Sequence, residues 1–235
     1  MWDALEASGE ARFPFPPHGR IPNFAGAKAA AARLAETPEW QAADSLKTNP
    51  DSPQRPLRER ALRDGKTVYM AVPRLADEQP FLELDPARIS DPSAAVTLSG
   101  SEAHGVQVGP DEVSVDMVVS GSVAVREDGA RIGKGEGFSD LEWGILWDLG
   151  LVDGETPVAT TVHELQVVDG PESALGTAAV EVPVDAHDVP MDLVVTPDRT
   201  VETATPFDRP AGVDWAALSE ERIDAMPVLA DRAPR

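Results

Sequence analysis

The sequence predicts an α/β fold in which helices cover both faces of a mainly parallel sheet. Predicted strands and helices alternate along the chain, which is the pattern of such folds. The strands are apolar throughout rather than alternately apolar and polar, as in TVYMAVP at residues 67–73, and this is typical of strands buried on both faces. Since 42% of the 235 residues are hydrophobic and no long linker divides the chain, we expect one domain over residues 1–235.

The first half of the chain begins with an N-terminal segment, residues 1–25, that precedes the predicted sheet. A short helix is expected over residues 1–9, and four prolines between Arg12 and Phe24 predict extended chain. The further predicted elements are an alanine-rich helix over 26–40, a strand over 45–49, a helix that begins at Asp51 or Ser52 and stops at Gly65, and strands over 67–73 and 81–85.

The second half is predicted to continue the alternation after a loop at residues 91–112. Its predicted elements are a strand over 115–125, a glycine-rich loop, a helix over 139–150 with apolar residues at helical spacing, strands over 156–162 and 192–197, and an amphipathic helix over 215–226. The last helix lies in a C-terminal extension, residues 200–235.

Charge is the strongest global signal. Asp and Glu total 41 against 20 Lys and Arg, for a formal charge of −21, and lysine occurs only four times. Such a surface is favoured in a high-salt cytoplasm, where screening removes self-repulsion, and we interpret the chain as halophilic and haloarchaeal in origin. The alternative is an acidic interaction surface. Either interpretation disfavours nucleic acid as a partner, because nucleic-acid affinity comes largely from neutralising phosphates.

Other classes of protein are disfavoured by what the sequence lacks. It has no cysteine, no 18-residue apolar run and no signal-like N-terminus, so we expect a cytoplasmic protein without a membrane partner. The four histidines have no metal-binding spacing and no GxSxG motif occurs. The sequence does not specify an oligomeric state.

The segment GARIGKGEGFSD carries the main candidate site. Gly133, Gly135 and Gly137 alternate between a predicted strand and a predicted helix, where an anion can approach backbone N–H groups. Arg131 and Lys134 could place positive charge on phosphate oxygens. The alternative interpretation is a plain glycine-rich turn, because the spacing matches neither the dinucleotide fingerprint nor the P-loop.

Three further residues near predicted strand or helix ends bear on ligand binding. Asp140, at the start of the predicted helix, could hold Mg²⁺ or act as a helix N-cap. Glu136 opposes a polyphosphate unless it points away or reaches a metal. Arg74 follows a predicted strand end, where open α/β sheets bind ligands.

Residues 115–146 resemble the signature region of the 5-formyltetrahydrofolate cyclo-ligase family, whose loop has the form R-x-G-x-G-x-G-Y-Y-D. The motif positions coincide with Arg131, Gly133, Gly135, Gly137 and Asp140. GKTVYMAVPR, HELQVVD and VPVDAHDVPMDLVVTP resemble other blocks of the family in the same order. FPFPPHGRIPNFAGA, NPDSPQ and RIGKGEGFSDLE are most similar to its methenyltetrahydrofolate synthetase domain-containing branch.

The resemblance implies a three-layer α/β/α sandwich and an ATP- and Mg²⁺-dependent conversion of 5-formyltetrahydrofolate to 5,10-methenyltetrahydrofolate. The implied partners are therefore the folate and ATP. The residues carried over by motif are, for catalysis, Arg131 and Lys134; for ligand binding, Gly133, Gly135, Gly137, Phe138, Arg74, Asp51 and Gln166; and for Mg²⁺, Asp140.

Two alternatives to the cyclo-ligase remain open at this point. The tyrosines of the family loop are Phe138 and Ser139 here, and Glu136 stands inside the loop. The chain could therefore be a non-catalytic folate- or nucleotide-binding protein on the same fold. It could also be an enzyme that acts on another pterin or phosphorylated ligand.

Overall fold

The computed structural model describes residues 1–72, 75, 77–169, 182–230 and 232–234. Its strands are β1 (Ala11–Arg12), β2 (Asn23–Phe24), β3 (Ser45–Thr48), β4 (Thr67–Ala71), β5 (Phe81–Leu84), β6 (Val106–Val108), β7 (Met117–Val119), β8 (Ala124–Val125), β9 (Arg131–Ile132), β10 (Val158–Thr161), β11 (Leu193–Val195) and β12 (Thr200–Glu202). Its α-helices are α1 (Trp2–Ala7), α2 (Ala27–Leu34), α3 (Pro38–Ala42), α4 (Arg55–Arg63), α5 (Pro92–Ala95), α6 (Leu98–His104), α7 (Phe138–Asp148), α8 (Glu220–Asp224) and α9 (Pro227–Ala230).

An eight-stranded sheet in the order β12-β11-β10-β7-β3-β4-β5-β6 organises the chain. The five central strands, from β11 to β4, run parallel to one another. The edge strand β12 at one side and the strands β5 and β6 at the other are antiparallel to their neighbours. The predicted mainly parallel sheet is therefore confirmed.

Side chains that alternate along the strands build a separate core on each face of the sheet. Leu46 and Val68 belong to a buried cluster that also contains residues of α2 and α4. Tyr69 and Val118 belong to a second cluster that contains Trp143 of α7. Because both faces are covered in this way, the strands carry the continuous apolar sequences from which a sheet covered on both faces was predicted.

The order of the central strands creates a crevice between β3 and β7. The chain passes from β3 through α4 to β4 on one side, and from β7 through α7 to β10 on the other. Right-handed crossovers in opposite directions put α4 and α7 on opposite faces. Loops that leave the carboxyl ends of β3 and β7 therefore diverge, and ligands bind at such points in open α/β sheets.

Two predicted segments in the first half differ from the structure. The helix expected over residues 26–40 is divided into α2 and α3, because Thr37 caps a new helix through its side chain and Pro38 occupies the first turn. The loop expected over residues 91–112 is wrong. This stretch contains α5 and α6, which begin at the side-chain caps Asp91 and Thr97, and the edge strand β6.

Two further segments differ in the second half. Residues 115–125 do not form one strand, because β7 ends at Val119 and β8 pairs with β9 in a separate two-stranded sheet. The helix expected over 215–226 is a 3₁₀ turn followed by α8, since Ser219 interrupts it and caps the second part with its side chain.

The N-terminal and C-terminal segments join the fold in different ways. The pair β1–β2 lies in its own small sheet, whereas β12 joins the main sheet. Beyond β12, Met226 and Leu229 bury themselves with Leu141 and Ile145 of α7 and with Ala71 at the end of β4. The C-terminal residues thus reach the carboxyl edge of the sheet.

Among the described residues, no helix has the length and hydropathy needed to cross a bilayer.

Candidate functional site

A cleft of about 350 Å³ lies at the carboxyl ends of β3, β4 and β7, where the strand order predicts a crevice. Its lining residues are Ile21, Asn49, Pro50, Asp51, Ala71, Val72, Gly121, Arg131, Gly133, Lys134, Glu136, Gly137, Phe138, Ser139, Asp140 and Glu142. The cleft is thus bounded by the turn after β3 and by the loop that leads into α7. We call residues 131–138 the glycine loop.

Arg58 of α4 holds the turn that follows β3. Its guanidinium is buried and donates to the carbonyls of Asn49 (2.5 Å), Asp51 (3.1 Å) and Pro50 (3.2 Å), and to that of Val96 (3.2 Å). Burial lowers the pKa of Arg58 to about 10. One side chain therefore fixes three successive peptide groups at the wall of the cleft.

Behind the cleft lies a set of polar residues that we call the polar floor: Lys47, Asn49 and Glu142. Lys47 is fully buried on the central strand β3, between Tyr69 and Val118 in register. Its ammonium donates to Glu142 Oε2 of α7, and Asn49 Nδ2 donates to the same oxygen at 3.3 Å. A charge placed in this apolar layer needs such a partner, because an isolated buried ammonium is very costly.

The amide of Asn49 joins the polar floor to both loops of the cleft. Its Oδ1 accepts from the N–H of Gly121 at 2.9 Å and from Ser139 Oγ at 3.2 Å. The side chain therefore connects the chain after β7 with the first turn of α7. Both groups of the amide are used, which fixes its orientation.

Arg131 anchors the start of the glycine loop. Its Nη2 donates to both oxygens of Asp140 at 2.6 and 2.7 Å, and its Nη1 donates to the carbonyl of Gly121 at 3.1 Å. Asp140 Oδ1 also accepts from the N–H of Val189 at 3.1 Å. Arg131 and Asp140 are thus partners of each other, and their side chains are mostly buried.

The middle of the glycine loop is open to solvent. Lys134 pairs with Glu136 at 2.8 Å, with side chains that are 36% and 51% exposed. Gly135 and Gly137 have φ of 90° and 65°, a conformation that favours glycine. Gly137 is the residue before helix α7 and provides no side-chain cap, so the first N–H groups of the helix lack the usual partner.

Asp51 faces this loop from the opposite wall of the cleft. Partial burial raises the pKa of its carboxyl, while the neighbouring positive charges of Lys134 and Arg58 act in the opposite direction. Asp51 therefore keeps its charge less readily than an exposed aspartate does.

The structure brings most of the predicted site residues together. Seven of them line the cleft: Asp51, Arg131, Gly133, Lys134, Gly137, Phe138 and Asp140. Gly135 lies in the same loop. Gln166 is fully buried outside the cleft lining, where it donates to the carbonyls of Ser122 and Val123 at 3.1 and 3.2 Å. Arg74 lies outside the described residues. The roles assigned to all of these residues stay predictions.

Lys47, Asn49, Arg58 and Glu142 were not predicted as site residues. A signal for two of them is present in the sequence. Lys47 is a lysine within an apolar strand, in a chain with four lysines, and Glu142 stands among the apolar positions of α7. Lys47 interrupts the apolar pattern of β3, and Glu142 interrupts that of α7. In the fold the two residues form an ion pair. The sequence gives no comparable signal for Arg58, because all four of its partners are backbone carbonyl groups.

A second cleft of about 410 Å³ adjoins the first. Its lining residues are Pro50, Met70, Ala71, Val72, Asp77, Leu82, Leu98, Ser101, Glu102 and Gln107. Three of these, Pro50, Ala71 and Val72, also line the first cleft. Two ligands could therefore meet at the ends of β3 and β4. Within the part of the chain that the structure describes, no three His, Asp or Glu side chains are grouped to hold a metal ion.

Comparison with known proteins gives a consistent result. The sequence model of the 5-formyltetrahydrofolate cyclo-ligase family matches residues 16–197. Methenyltetrahydrofolate synthase domain-containing proteins from Bos taurus and Mus musculus are each 40% identical to this chain over 233 residues, which is 97% of it. The human protein of that name is 36% identical over 233 residues. The chain spans 58–60% of the length of these curated relatives.

The solved structures that are similar include the NMR structure of Aquifex aeolicus 5,10-methenyltetrahydrofolate synthetase. It is 18% identical, with a TM-score of 0.47, and the match covers 78% of this chain and 84% of that chain.

Proposed function

The chain belongs to the 5-formyltetrahydrofolate cyclo-ligase family, and from that premise we propose that it converts 5-formyltetrahydrofolate to 5,10-methenyltetrahydrofolate with ATP. ADP and phosphate are the other products. The observation that carries the proposal is the glycine loop, which enters α7 at the mouth of a cleft on the carboxyl edge of the sheet and carries Lys134.

The residues of the glycine loop fit a phosphate group. Helix α7 spans 11 residues and begins without a side-chain cap, so its first N–H groups and its dipole are available to an anion. A Cβ built at Gly135 would meet no atom within 4 Å, so the space beside the backbone is open. Lys134 adds a positive charge at the same place.

Magnesium would be held mainly by the phosphates themselves, as is usual for this ion. Both oxygens of Asp140 accept from Arg131, so in this geometry the pair orients the start of the loop. Asp51 and Glu136 also line the cleft, and among the described residues their carboxylates form no ion pair with an arginine. They are the carboxylates we assign to the hydrated ion. The assignment of Asp140 as a Mg²⁺ ligand stays a prediction.

ATP supplies the chemistry by phosphorylating the formyl oxygen, which then leaves as phosphate when the ring closes. The task of the chain is to position two anionic ligands and to stabilise charge on the transferring group. We assign the triphosphate to the glycine loop and the folate to the second cleft, so that their reacting ends meet at Pro50, Ala71 and Val72.

A non-catalytic folate- or nucleotide-binding protein is the second candidate function. The observation that favours it is that three cations in or behind the cleft already face carboxylates of the chain. The pairs are Arg131 with Asp140, Lys134 with Glu136, and Lys47 with Glu142. A triphosphate that binds here must displace Glu136 from Lys134 or bring a cation of its own. In this second candidate function, the nucleotide is bound but its phosphoryl group is not transferred.

The test is a direct assay of the purified protein. The chain has a formal charge of −21, and salt screens the repulsion between its acidic residues. We therefore propose that molar salt stabilises the protein, and the assay is run in molar salt. The protein is mixed with 5-formyltetrahydrofolate, Mg²⁺ and ATP, and the absorbance of the methenyl product is followed, with ATP omitted as the control.

The outcomes separate the two candidates. ATP-dependent product supports the cyclo-ligase. If no product forms but ATP or the folate raises the melting temperature, the binding protein is supported instead. If neither ligand changes the melting temperature, the assignment of the cleft to these ligands is wrong.

A further inference from the structure

Arg222 of α8 contacts the glycine loop from the C-terminal part of the chain. Its Nη2 donates to the carbonyl of Glu136 at 2.5 Å, and its guanidinium lies 5.5 Å from the centre of the Phe138 ring. Both contacts are to residues that line the cleft. Residue 222 lies beyond the range 16–197 that the family model matches, so this contact is an addition to the matched region.

Packing and capping hold Arg222 in this place. Ser219 caps α8 by accepting from the backbone N–H of Arg222 at 3.2 Å. Ile223 packs against the cluster formed by Met226, Leu229 and residues of α7. The backbone of Arg222 is thus fixed by α8, and the guanidinium is the part that reaches the loop.

The contact falls in the part of the glycine loop that lies beyond the anchor at Arg131. The start of the loop is anchored by Arg131, which pairs with Asp140 and binds the carbonyl of Gly121. Gly135 and Gly137 flank Glu136 and both have positive φ, so this stretch has few conformational restraints of its own. A hydrogen bond from a charged donor to the Glu136 carbonyl is of the stronger kind.

We infer that Arg222 is a positioning residue for the glycine loop. It fixes the peptide between Glu136 and Gly137, and with it the entry into α7, where the proposed function puts the phosphates. The C-terminal segment thereby completes a site that the region matching the family begins. This inference rests on the proposed function for its ligand, although the positioning itself can be measured without any ligand.

The first experiment measures the loop in the ligand-free protein. Amide hydrogen exchange is compared between the wild type, Arg222→Ala and Arg222→Lys. We expect Arg222→Ala to raise exchange at residues 141–143, where the first hydrogen-bonded N–H groups of α7 lie, by about tenfold, which corresponds to the loss of one charge-assisted hydrogen bond, with little change in the strands. Arg222→Lys keeps a charged donor and should restore most of the protection.

Arg232→Ala is the matched control. This arginine belongs to the same C-terminal part of the chain but donates to the carbonyl of Val228 at 3.0 Å, and it does not line the cleft. We expect its exchange pattern at residues 141–143 to equal that of the wild type. Unchanged exchange in Arg222→Ala overturns the inference, and so does a rise spread evenly over the whole domain.

The second experiment tests the ligand that the loop is meant to receive. We expect Arg222→Ala to weaken binding of Mg²⁺-ATP by about tenfold, while the affinity for 5-formyltetrahydrofolate alone changes by less than about twofold. An equal loss for both ligands overturns selective positioning. If the wild type binds no ATP, the proposed function fails, and the exchange result still decides whether Arg222 positions the loop.

Discussion

The polar floor and the glycine loop each contain a lysine paired with a glutamate, but the two pairs differ in their exposure to water. In the polar floor, the side chains of Lys47 and Glu142 are 1% and 6% exposed. In the glycine loop, the side chains of Lys134 and Glu136 are 36% and 51% exposed. Both pairs belong to the surroundings of one cleft.

This difference assigns different tasks to the two pairs. Removing one member of a buried pair leaves an uncompensated charge in an apolar layer. Neither Lys47 nor Glu142 can therefore leave the other to bind a ligand. An exposed pair contributes little to stability, because water and salt replace the partner at small cost. Lys134 can therefore leave Glu136 for a ligand, while the polar floor keeps Asn49 and the first turn of α7 in place.

Breaking the polar floor should have the largest effect on stability. We expect Lys47→Met to lower the free energy of unfolding by about 3–5 kcal/mol, because Glu142 then stays buried without a cation. Urea denaturation in molar salt measures this. The matched control is Lys28→Met, a change of an exposed lysine on α2, for which we expect a change of no more than about 0.5 kcal/mol.

The double variant Lys47→Met/Glu142→Leu sharpens this test. With both charges removed, the layer between Tyr69 and Val118 becomes apolar, and we expect the double variant to regain most of the stability that the single variant loses. A loss in Lys47→Met below about 1 kcal/mol would mean that the polar floor resembles the exposed pair, and the comparison would fail.

The anchor of the glycine loop should have an intermediate effect. We expect Arg131→Lys to lower the free energy of unfolding by about 1.5–3 kcal/mol, because an ammonium cannot make the two-pronged contact with Asp140 and also reach the carbonyl of Gly121. Arg126→Lys is the control, since the ion pair of Arg126 with Asp128 lies nearer the surface. Equal losses of unfolding free energy in the two variants would show that the buried Arg131–Asp140 pair stabilises the fold no more than the more exposed Arg126–Asp128 pair does.

Asp51 offers a test that depends on pH. Burial raises the pKa of its carboxyl above the ordinary 3.8, so the charged form is less stable in the folded protein than in the unfolded chain. This penalty is absent at low pH, grows as the pH rises above the unfolded pKa and is complete above the folded pKa. We expect Asp51→Asn to be more stable than the wild type near pH 7, and the gain to shrink as the pH falls toward 3.8. Urea denaturation over this range checks the sign, and a gain that grows on acidification would contradict it.

The sheet could be predicted from sequence because its signal is local. Apolar strands such as β4 and β11 and the apolar spacing of Leu141 and Ile145 depend only on nearby residues. The helices α5 and α6 were missed because they are short, and their side-chain caps at Asp91 and Thr97 stand in otherwise loop-like sequence. A helix of only a few residues is stabilised by packing against the rest of the protein rather than by its helix propensity.

The site was only half predictable for a related reason. The glycine loop is one continuous motif, so its residues could be assigned together. The polar floor joins residues separated by 95 positions, as Lys47 and Glu142 are, and only the strand order brings them into contact. Arg222 likewise lies 86 residues after the carbonyl it binds. Long-range polar partners follow from the fold and not from any spacing in the sequence.

Lys134 should have the smallest effect on stability and the clearest effect on binding. We expect Lys134→Ala to change the free energy of unfolding by less than about 1 kcal/mol, because its partner Glu136 is exposed. The same change should weaken ATP binding by about tenfold or more, since a charged hydrogen bond to phosphate is lost. Isothermal titration calorimetry and urea denaturation give the two values, with Lys28→Ala as the control. An unchanged affinity would refute the assignment of phosphate to the glycine loop, whereas a large loss of stability would show that this pair, like the polar floor, is part of the folded framework.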